Sequence, residues 1–302
     1  MHDVIVVGGG PAGMTAALYA LRNGKSALVI EREGFGGQIT HSPKVENYPG
    51  TLQMSGNEFA ERLLDQILAQ GAEIEFENVI KVEQNESTLT VRTEEGSAFE
   101  GKAVILATGA SHRMLGLPGE QELVGEGVSY CAICDGDFYA GKDVCVVGGG
   151  NSALQEAVLL SDICRTVTIL QDMPFLTGEQ KLQDVLTKKE NVRVMCGVAV
   201  TALNQSDGVL TGVGIRHREN SIEESVSCDG VFVAIGLVPH NEAFTDVADL
   251  DAAGYFDADE RCLSMTPGVY VAGDCRRKGI RQLATAIADG ACAAMAACRN
   301  MD

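Results

Sequence analysis

The stretch YCAICDG, residues 130–136, places two cysteines three positions apart, at Cys131 and Cys134, with Asp135 directly after them. A pair at this spacing has three chemical interpretations: half of a metal site, a purely structural pair, or a disulfide that opens and closes during catalysis. A zinc site is disfavoured and no metal is expected, because zinc needs two more soft ligands and the chain has no second C-x-x-C. The pair alone does not separate the other two interpretations.

A strand, a glycine turn, a helix and a second strand are predicted twice, in residues 4–31 and in residues 144–171. Matching residues of the two stretches stand 140 positions apart: Gly8 and Gly148, Gly10 and Gly150, Glu31 and Gln171. The chain therefore contains two related nucleotide-binding units.

The first glycine turn has the spacing G-x-G-x-x-G, filled by Gly8, Gly10 and Gly13. The first glycine allows a tight turn, the second lets the backbone approach a pyrophosphate, and the third lets the helix pack closely on the strand. Glu31 ends the second strand, where an acidic side chain can accept hydrogen bonds from a ribose. This context predicts a dinucleotide site.

The second turn has Gly148, Gly150 and Ala153, and Gln171 stands where the first unit has its acid. Whether this turn binds any nucleotide stays open at this point. Further elements are predicted around the repeat: short antiparallel ribbons in 73–99 and 193–228, an amphipathic packing helix in 55–71, and a C-terminal helix in 280–297.

Composition excludes several classes of protein. A chain of 302 residues is long enough for two domains. Its formal net charge of −19 argues against nucleic acid and anionic lipid as partners, since both attract basic surfaces. We expect no membrane span, because no run of about 18 apolar residues occurs. The N-terminus enters a strand directly instead of a cleavable signal, so we expect a cytoplasmic protein.

The sequence resembles the low-molecular-weight flavin thioredoxin reductases, class II of the pyridine nucleotide-disulfide oxidoreductases. The matching segments occur in order along the chain: GGGPAG (8–13), GGQIT (36–40), VENYPG (45–50), ATGAS (107–111), LGLPGE (115–120), CAICDG (131–136), GGGNSA (148–153), VAIGLVP (233–239) and AGDCRRKGIRQ (272–282). The resemblance implies an α/β fold of two doubly wound nucleotide-binding domains, each with a parallel sheet and an antiparallel β ribbon, the second inserted into the first. The implied ranges are 1–117 and 244–302 for the FAD-binding domain and 118–243 for the inserted nicotinamide-binding-like domain. It also implies a homodimer.

The same resemblance assigns the cysteines a role. It implies that Cys131 and Cys134 form a redox-active disulfide that is reduced by the flavin. Cys134 would face the flavin, Cys131 would attack the disulfide of thioredoxin, and Asp135 would donate a proton. These roles agree with thiol chemistry, in which a thiolate attacks and an acid protonates the leaving sulfur.

For FAD, the resemblance places Glu31 on the adenosine ribose, Asp274 on the ribityl chain or the pyrophosphate, and Arg281 beside the ring system. The full set of implied cofactor-binding residues is Gly8, Gly10, Pro11, Ala12, Gly13, Glu31, Gly37, Gln38, Asn47, Ala107, Thr108, Gly109, Gly273, Asp274, Arg281, Gln282 and Leu283. Cys275 follows Asp274, and packing is the preferred interpretation of this thiol over a second reactive centre.

The electron donor is where the chain departs from the family. NADPH-specific relatives carry a His-Arg-Arg trio and a further Arg where this chain has Gln171, Asp172, Met173 and Thr177. A 2′-phosphate needs cationic donors, and a carboxylate at residue 172 would repel it, so NADPH is disfavoured. Two donors remain: NADH, held by Gln171 or Asp172, and reduced ferredoxin.

Ferredoxin would dock on a basic cluster formed by Arg276, Arg277, Lys278 and Arg281. The alternative for that cluster is that Arg281 serves the flavin and the other three are surface charges. The function predicted is a thioredoxin-disulfide reductase. Its alternative is a flavin-bound redox sensor, or a reductase for another disulfide partner.

Overall fold

The computed structural model describes residues 1–42 and 45–301. The α-helices in these ranges are α1 (Pro11–Arg22), α2 (Gly56–Ala69), α3 (Ala132–Asp135), α4 (Asn151–Ser161), α5 (Gln180–Leu186) and α6 (Leu283–Met301). The strands are β1 (His2–Val7), β2 (Ala27–Glu31), β3 (Glu73–Phe76), β4 (Val79–Gln84), β5 (Leu89–Thr93), β6 (Ala98–Leu106), β7 (Ala110–His112), β8 (Val128–Ser129), β9 (Asp143–Val147), β10 (Thr166–Gln171), β11 (Val192–Cys196), β12 (Val198–Ser206), β13 (Val209–His217), β14 (Glu223–Ser227), β15 (Gly230–Val233), β16 (Leu237–Pro239) and β17 (Val269–Val271). Short 3₁₀ helices cover Gly37–His41, Gly136–Tyr139, Glu242–Phe244 and Gly273–Cys275.

The chain divides into two units, of which the second is inserted into the first. Unit 1 comprises Met1–Ser111 and Val238–Asp302, and unit 2 comprises His112–Leu237. The divisions fall after residues 111 and 237, whereas the sequence predicted domain boundaries after 117 and 243. Asp302, the last residue of the predicted range 244–302, lies outside the described residues.

Unit 1 is built on a seven-stranded sheet with the order β3-β2-β1-β6-β5-β4, in which β17 also pairs with β6. The strands β1, β2, β3, β6 and β17 run parallel, while β4 and β5 add an antiparallel ribbon. Side chains of β1 enter both cores in alternation: Val4 and Val6 on one face, Ile5 and Val7 on the other. Such burial on both faces explains why the strand is a continuous apolar run.

Unit 2 has a parallel sheet with the order β11-β10-β9-β15-β8 and a separate antiparallel sheet, β12-β13-β14. Strand pairing follows the offset of 140 seen in the sequence, since Val4 lies opposite Ala27 and Val144 lies opposite Val167. The predicted fold class is therefore confirmed, with a parallel sheet and an antiparallel ribbon in each unit.

A polar link at the start of each repeat also follows this offset. In unit 1 the carboxylate of Asp3 accepts hydrogen bonds from the N–H and the hydroxyl of Ser26, at 2.9 and 3.1 Å. In unit 2 the carboxylate of Asp143 accepts one from the hydroxyl of Thr166 at 2.7 Å. Each link lies at the beginning of two neighbouring parallel strands, and it was not predicted from the sequence.

The prediction of purely antiparallel ribbons in 73–99 and 193–228 was wrong for the first strand of each segment. β3 pairs with β2 and β11 pairs with β10, both in parallel. Each is the outermost strand of its parallel sheet and is largely exposed. An exposed edge strand alternates between apolar and polar residues as a ribbon strand does, so the pattern alone did not separate the two.

The predicted helices in 55–71 and 280–297 are present as α2 and α6. α2 begins where the Ser55 hydroxyl accepts a hydrogen bond from the Glu58 N–H at 3.0 Å, a typical N-cap. α6 packs so closely on α1 that a Cβ on Gly290 would lie 2.1 Å from the carbonyl oxygen of Ala12. Across residues 1–42 and 45–301, no helix combines the length and apolarity required to cross a bilayer.

Candidate active site

A disulfide bond joins Cys131 to Cys134 in unit 2. Cys131 is the N-cap of α3, and its sulfur accepts a hydrogen bond from the Cys134 N–H at 3.2 Å. N–H groups at the start of a helix favour negative charge, so this position stabilises a thiolate on Cys131 once the bond opens. Among the described residues, no group of three or more His, Cys, Asp or Glu side chains is arranged to hold a metal ion.

Asp135 lies at the end of α3 and is connected to the disulfide through one hydroxyl group. The Ser129 hydroxyl donates to Oδ2 of Asp135 at 2.6 Å and accepts from the Cys131 N–H at 3.1 Å. The other carboxylate oxygen, Oδ1, is buried without a hydrogen-bond partner in the described structure. Burial raises the pKa of Asp135, and the Ser129 hydrogen bond opposes this only in part. The carboxyl is thereby suited to hold a proton close to the sulfur atoms.

A second buried carboxyl, Glu156 on α4, was missed in the sequence. Its Oε2 is buried without a hydrogen-bond partner in the described structure. Burial raises the pKa of Glu156 to about 8, and the backbone N–H of Ala132 opposes the increase. Helical spacing could have identified it, because Glu156 follows the buried Ala153 by three positions and precedes the buried Leu160 by four.

The first glycine turn has the geometry that a dinucleotide requires. Gly8 adopts a φ of 107°, and a Cβ there would lie 2.4 Å from the Ala107 carbonyl oxygen. A Cβ on Gly13 would lie 1.9 Å from the Gly8 carbonyl oxygen, so only glycine allows α1 to pack here. At Gly10 a Cβ would meet no described atom within 4 Å, so the turn opens onto free space at the start of α1.

The start of α1 is suited to bind phosphate. Pro11 occupies the first helical position, where a missing N–H costs nothing, and Ala12 and Gly13 follow it. No side-chain cap satisfies the N–H groups of this first turn. Free N–H groups at a helix N-terminus form an anion site, as a pyrophosphate requires.

Glu31 fixes the same turn. One carboxylate oxygen accepts the Gly9 N–H at 2.6 Å, and the other accepts the Glu33 N–H at 2.9 Å. Each carboxylate oxygen has a further lone pair. Glu31 can therefore hold the turn and still accept hydrogen bonds from ribose hydroxyls.

Two further backbone segments reach the glycine turn. The Ala107 N–H donates to the Val7 carbonyl at 2.8 Å, at the end of β6. After β17, Gly273 packs on α1, where a Cβ would lie 2.7 Å from the Ala12 Cβ. The ends of three parallel strands thus meet at the start of α1, which is the usual position of a ligand in an open α/β sheet.

The other predicted cofactor residues of 107–109 and 36–38 lie on the loops of this edge. Thr108 donates its hydroxyl hydrogen to Asn241 Oδ1 at 2.7 Å, and Gly109 has a φ of 68°. Gly37 lies beside the turn, since a Cβ there would be 3.4 Å from the Gly10 Cα. Gln38 follows on the same 3₁₀ helix and is exposed.

Asp274 presents a buried acceptor oxygen that makes no hydrogen bond with any described residue. Its side chain is 32% exposed, yet Oδ1 is buried and makes no hydrogen bond in the described structure. The ammonium group of Lys278 lies 3.5 Å from this oxygen. Burial raises the pKa of Asp274, and the charges of Lys278 and Arg281 oppose the increase. A hydroxyl of a ribityl chain would satisfy this oxygen.

Asn47 and Gln282 are brought together although 235 positions separate them, with Asn47 Nδ2 donating to Gln282 Oε1 at 3.2 Å. The Arg281 guanidinium lies over the Tyr255 ring, 4.0 Å from its centroid, and donates to the Asp274 carbonyl at 3.2 Å. Leu283 begins α6 immediately afterwards. The residues present fit FAD on three observations: the open space at Gly10, the uncapped start of α1 and the orphaned acceptor on Asp274.

The interpretation of Arg276, Arg277, Lys278 and Arg281 as a basic docking cluster was wrong for two of these cations. Arg276 is buried and binds both carboxylate oxygens of Asp289, at 2.7 and 2.8 Å. Lys278 is buried too, with its ammonium group 3.0 Å from the same carboxylate.

Asp289 was not predicted from the sequence. Burial alone would raise the pKa of Asp289, but the Arg276 hydrogen bonds and the Lys278 charge hold it below its usual value. The carboxylate also accepts the Gly273 N–H at 3.0 Å, so the cluster holds the segment after β17 in place.

The second glycine turn repeats the backbone geometry of the first. Gly148 has a φ of 131°, and a Cβ there would lie 2.4 Å from the Ala234 carbonyl oxygen. The N–H groups of Thr177 and Gly178 both donate to the Gly149 carbonyl, at 2.8 and 2.9 Å. At Gly150 a Cβ would meet only the Thr177 hydroxyl, at an ordinary 3.8 Å.

The side chains beyond this turn are engaged within the chain. Gln171 is buried against Gly149, and its amide nitrogen donates to the Phe175 carbonyl at 3.3 Å. Asp172 forms an ion pair with Arg218, a cation that the sequence did not place here because 46 positions separate the two. The carboxylate predicted to repel a phosphate is therefore paired with a guanidinium at the protein surface.

The other cysteines are mostly inside the protein. Cys275 is fully buried, its thiol lies 3.1 Å from the Ala272 carbonyl oxygen, and burial raises its pKa, as expected of a packing residue. Cys292 is exposed and Cys196 is half-buried.

Comparison with known proteins supports this arrangement. Residues 2–290 match the family model described as pyridine nucleotide-disulphide oxidoreductase. The chain is 39% identical over 290 residues to a thioredoxin reductase of Listeria monocytogenes, covering 96% of this chain and 91% of that protein. It is 40% identical over 297 residues to a bifunctional thioredoxin reductase/thioredoxin of Mycobacterium leprae, covering 98% of this chain and 65% of that protein.

Among solved structures, the thioredoxin reductase of Streptococcus pyogenes superposes with a TM-score of 0.93 at 35% identity, covering 100% of this chain and 98% of the other. The family implies a flavin, FAD, as cofactor. With the disulfide, the dinucleotide turn and these relatives in agreement, the chain belongs to the pyridine nucleotide-disulphide oxidoreductase family, in its low-molecular-weight thioredoxin reductase branch, and is an oxidoreductase that acts on a disulfide.

Proposed function

We propose that the protein is an FAD-dependent reductase that reduces thioredoxin through the Cys131–Cys134 disulfide. The observation that carries this proposal is the disulfide itself, formed at the N-cap of α3 and linked through Ser129 to the buried carboxyl of Asp135. A merely structural disulfide has no need of a proton-holding acid beside it.

FAD, when bound, supplies the two-electron chemistry that connects an electron donor to the disulfide. On accepting two electrons and two protons, the bond between Cys131 and Cys134 breaks and two thiol groups form. The thiolate of Cys131 then attacks the thioredoxin disulfide, and Asp135 protonates the sulfur that leaves. Cys134 attacks the resulting mixed disulfide, which restores the original bond and releases reduced thioredoxin.

Unit 1 would hold the cofactor at the start of α1. The N–H groups after Gly10 would bind the pyrophosphate, Glu31 the adenosine ribose, and Asp274 the ribityl hydroxyls. Asn47 and Gln282 would contact the ring system as the pair that their mutual hydrogen bond already forms.

Thioredoxin is the proposed partner because relatives bear the name thioredoxin reductase and, in Mycobacterium leprae, a thioredoxin in the same chain. Ile133, between the two cysteines, is 60% exposed and offers apolar surface that a bound protein would cover. The homodimer and the cytoplasmic location expected from the resemblance belong to this proposal as well.

For the donor, we propose that NADPH is not used and that electrons come from NADH or from reduced ferredoxin. Residues 171, 172, 173 and 177 provide no cation for a 2′-phosphate. Arg218, the cation that pairs with Asp172, is engaged with that carboxylate. The geometry of the second glycine turn favours NADH, whereas the burial of Arg276 and Lys278 removes much of the support for a ferredoxin dock.

The test mixes the oxidised, FAD-loaded protein anaerobically with NADH, with NADPH or with reduced ferredoxin, and follows the flavin absorbance in a stopped-flow instrument. Rapid bleaching by NADH or by ferredoxin, but not by NADPH, is the expected result. Bleaching by NADPH at a comparable rate would contradict the donor proposal.

A second measurement adds thioredoxin in large excess over the protein and counts the thioredoxin thiols formed. Many turnovers per protein molecule are expected. A single turnover or none would instead indicate a redox sensor or a reductase for a different disulfide partner.

A further inference from the structure

A buried asparagine, Asn241, joins two backbone segments that reach the start of α1. Its side-chain nitrogen donates to the carbonyl oxygens of Gly254 and Cys275, both at 2.9 Å. Its side-chain oxygen accepts the hydroxyl hydrogen of Thr108 at 2.7 Å. The exposed fraction of Asn241 is 0%, so both amide hydrogens and the amide oxygen are engaged inside the protein.

The position of Asn241 in the chain suggests a different use for its side chain. Asparagine is a favoured N-cap residue, and Asn241 stands directly before the 3₁₀ helix Glu242–Phe244. Its side chain makes no capping hydrogen bond to that helix. A buried amide is costly unless its partners are in place, so the three hydrogen bonds to other segments define what this residue contributes.

Strand pairing joins the two segments up to the ends of β6 and β17. The register of these strands ends with Leu106 opposite Val271. The segments continue past the sheet, to Thr108 on one side and Cys275 on the other, where Asn241 bonds to both. Asn241 therefore extends the connection between the two segments beyond the sheet.

Both segments belong to the predicted cofactor site. The Thr108 backbone nitrogen lies 3.4 Å from the position of a Cβ on Gly8, in the first glycine turn. Cys275 directly follows Asp274, whose Oδ1 is buried without a hydrogen-bond partner in the described structure. One side chain thus holds the segment beside the glycine turn and the segment that presents Asp274.

We propose that Asn241 is a positioning residue of the flavin site: it sets the spacing between the Thr108 loop and the Asp274–Cys275 segment, and it fixes the direction of the Thr108 hydroxyl hydrogen. This inference rests on the proposed FAD site of unit 1. Asn241 acts on the cofactor through these neighbours, since it has no exposed surface of its own.

The three hydrogen bonds determine one another. Two carbonyl oxygens accept from the same side-chain nitrogen, so the amide of Asn241 has a single orientation. Its oxygen can only accept, so the hydrogen of the Thr108 hydroxyl points towards it. The Thr108 oxygen keeps lone pairs but has no hydrogen left to donate. Towards any further group, such as a hydroxyl of the cofactor, it is an acceptor.

The experiment dilutes the FAD-loaded protein in steps and measures the free flavin by ultrafiltration, which gives the Kd of FAD. Asn241→Leu loses all three hydrogen bonds and should raise this Kd at least about tenfold, the effect of losing a buried hydrogen-bonding group. Thr108→Val has nearly the same shape as the native residue but leaves the Asn241 oxygen unpaired, so it should raise the Kd about three- to tenfold. Thr108→Ser keeps the hydroxyl and should recover most of the affinity lost in Thr108→Val.

The matched control is Asn191→Leu in unit 2. Asn191 also donates its side-chain nitrogen to two carbonyl oxygens, those of Ser161 and Cys164, at 2.9 and 3.2 Å. This variant should lower the urea midpoint and leave the Kd of FAD at its native value. If Asn241→Leu likewise lowered only the urea midpoint, its role would be structural and the proposal would be wrong. If Asn241→Leu does not fold, the comparison of Thr108→Val with Thr108→Ser decides.

Combining two substitutions tests the route of the effect. Asn241→Leu together with Thr108→Val should bind FAD no more weakly than Asn241→Leu alone, because both remove the same hydrogen bond. Additive losses of affinity would contradict an action of Asn241 through Thr108.

These measurements use neither thioredoxin nor an electron donor, so a protein that fails to reduce thioredoxin leaves their result intact. A native protein that holds no FAD would count against the proposed site as well as this inference. A native protein that holds FAD no more tightly than Asn241→Leu and Thr108→Val would count against this inference alone.

Discussion

At the scale of single residues, the neighbours of Cys131 and Cys134 give the pair its chemistry. The Ser129 hydroxyl lies between the loop backbone and the Asp135 carboxyl, so the acid is held in place and partly shielded from water. Burial raises the pKa of Asp135, which increases the fraction that carries a proton. A protonated acid beside a leaving sulfur accelerates thiol–disulfide exchange.

Replacing Asp135 by Asn should therefore reduce thioredoxin turnover by about 100-fold, the lower range for loss of a general acid. The amide can still accept the Ser129 hydrogen bond, so the loop should keep its structure. Turnover is measured with saturating donor and with thioredoxin varied. Asp137→Asn, two positions away and exposed, is the matched control and should retain the native rate. Equal rates in both variants would exclude Asp135 as the proton donor.

The sequence predicted roles for single residues where these residues lie in a short motif. Cys131, Cys134 and Asp135 follow one another within five positions, and Gly8, Gly10 and Glu31 have a fixed spacing. Arg218 was not predicted because its partner is distant in sequence: it forms an ion pair with Asp172, 46 positions away. Only the tertiary fold brings such pairs together.

At the scale of secondary structure, the contact of α6 with α1 holds the predicted cofactor segments in place. The close approach depends on Gly290, which lies over the Ala12 carbonyl. The residue before it on α6, Asp289, accepts the Gly273 N–H and binds Arg276. A small displacement of α6 would therefore move the loop that presents Asp274.

The substitution Gly290→Ala should destabilise the protein by about 1–3 kcal/mol, because its methyl group would overlap the Ala12 carbonyl unless the helices separate. It should also weaken retention of FAD. The measurements are the urea midpoint and the FAD released during gel filtration. Gly279→Ala is the control, since a Cβ there meets no described atom within 4 Å. If Gly290→Ala matched this control, the close helix contact would be unimportant for stability.

The elements themselves were largely predictable. Glycine turns and apolar periodicity indicated each strand–turn–helix–strand unit, because both patterns arise from local sterics and from burial on two faces of a sheet. The direction of β3 and β11 was not predictable. A parallel edge strand and a ribbon strand can show the same alternation of apolar and polar residues, and their pairing partners then distinguish them.

At the scale of the whole molecule, both units depend on carboxylates for stability in acid. Lys102 lowers the pKa of Asp3 to about 2, and Arg165 lowers that of Asp143 to about 2. A carboxyl whose folded pKa is lowered contributes stability above its unfolded pKa, and this contribution is lost as the pH falls towards the folded value. The protein should therefore lose stability between about pH 4 and pH 2.

Removing one cation tests this directly. In Lys102→Met, Asp3 loses its main partner, so the acid unfolding midpoint should move to higher pH, by a small amount because the pair is partly exposed. Circular dichroism between pH 2 and pH 6 measures the midpoint. Lys102→Arg retains the charge and should behave as the native protein. A midpoint unchanged in Lys102→Met would show that Asp3 does not contribute to acid stability.

The hydrogen bonds of Asp3 and of Asp143 repeat at the same offset of 140 residues as the strand pairing. This agreement bears on the evolutionary origin of the two units. Two segments that agree even in such small details are the expected product of duplication of one ancestral segment. The two copies differ most plainly at the end of their second strand. Glu31, at the end of β2, accepts a hydrogen bond from its own glycine turn. Gln171, at the end of β10, instead donates its amide N–H to the Phe175 carbonyl. Each copy can therefore be compared with the other. Features that both copies share are those that the fold requires, and positions at which they differ are those at which selection for separate functions has acted.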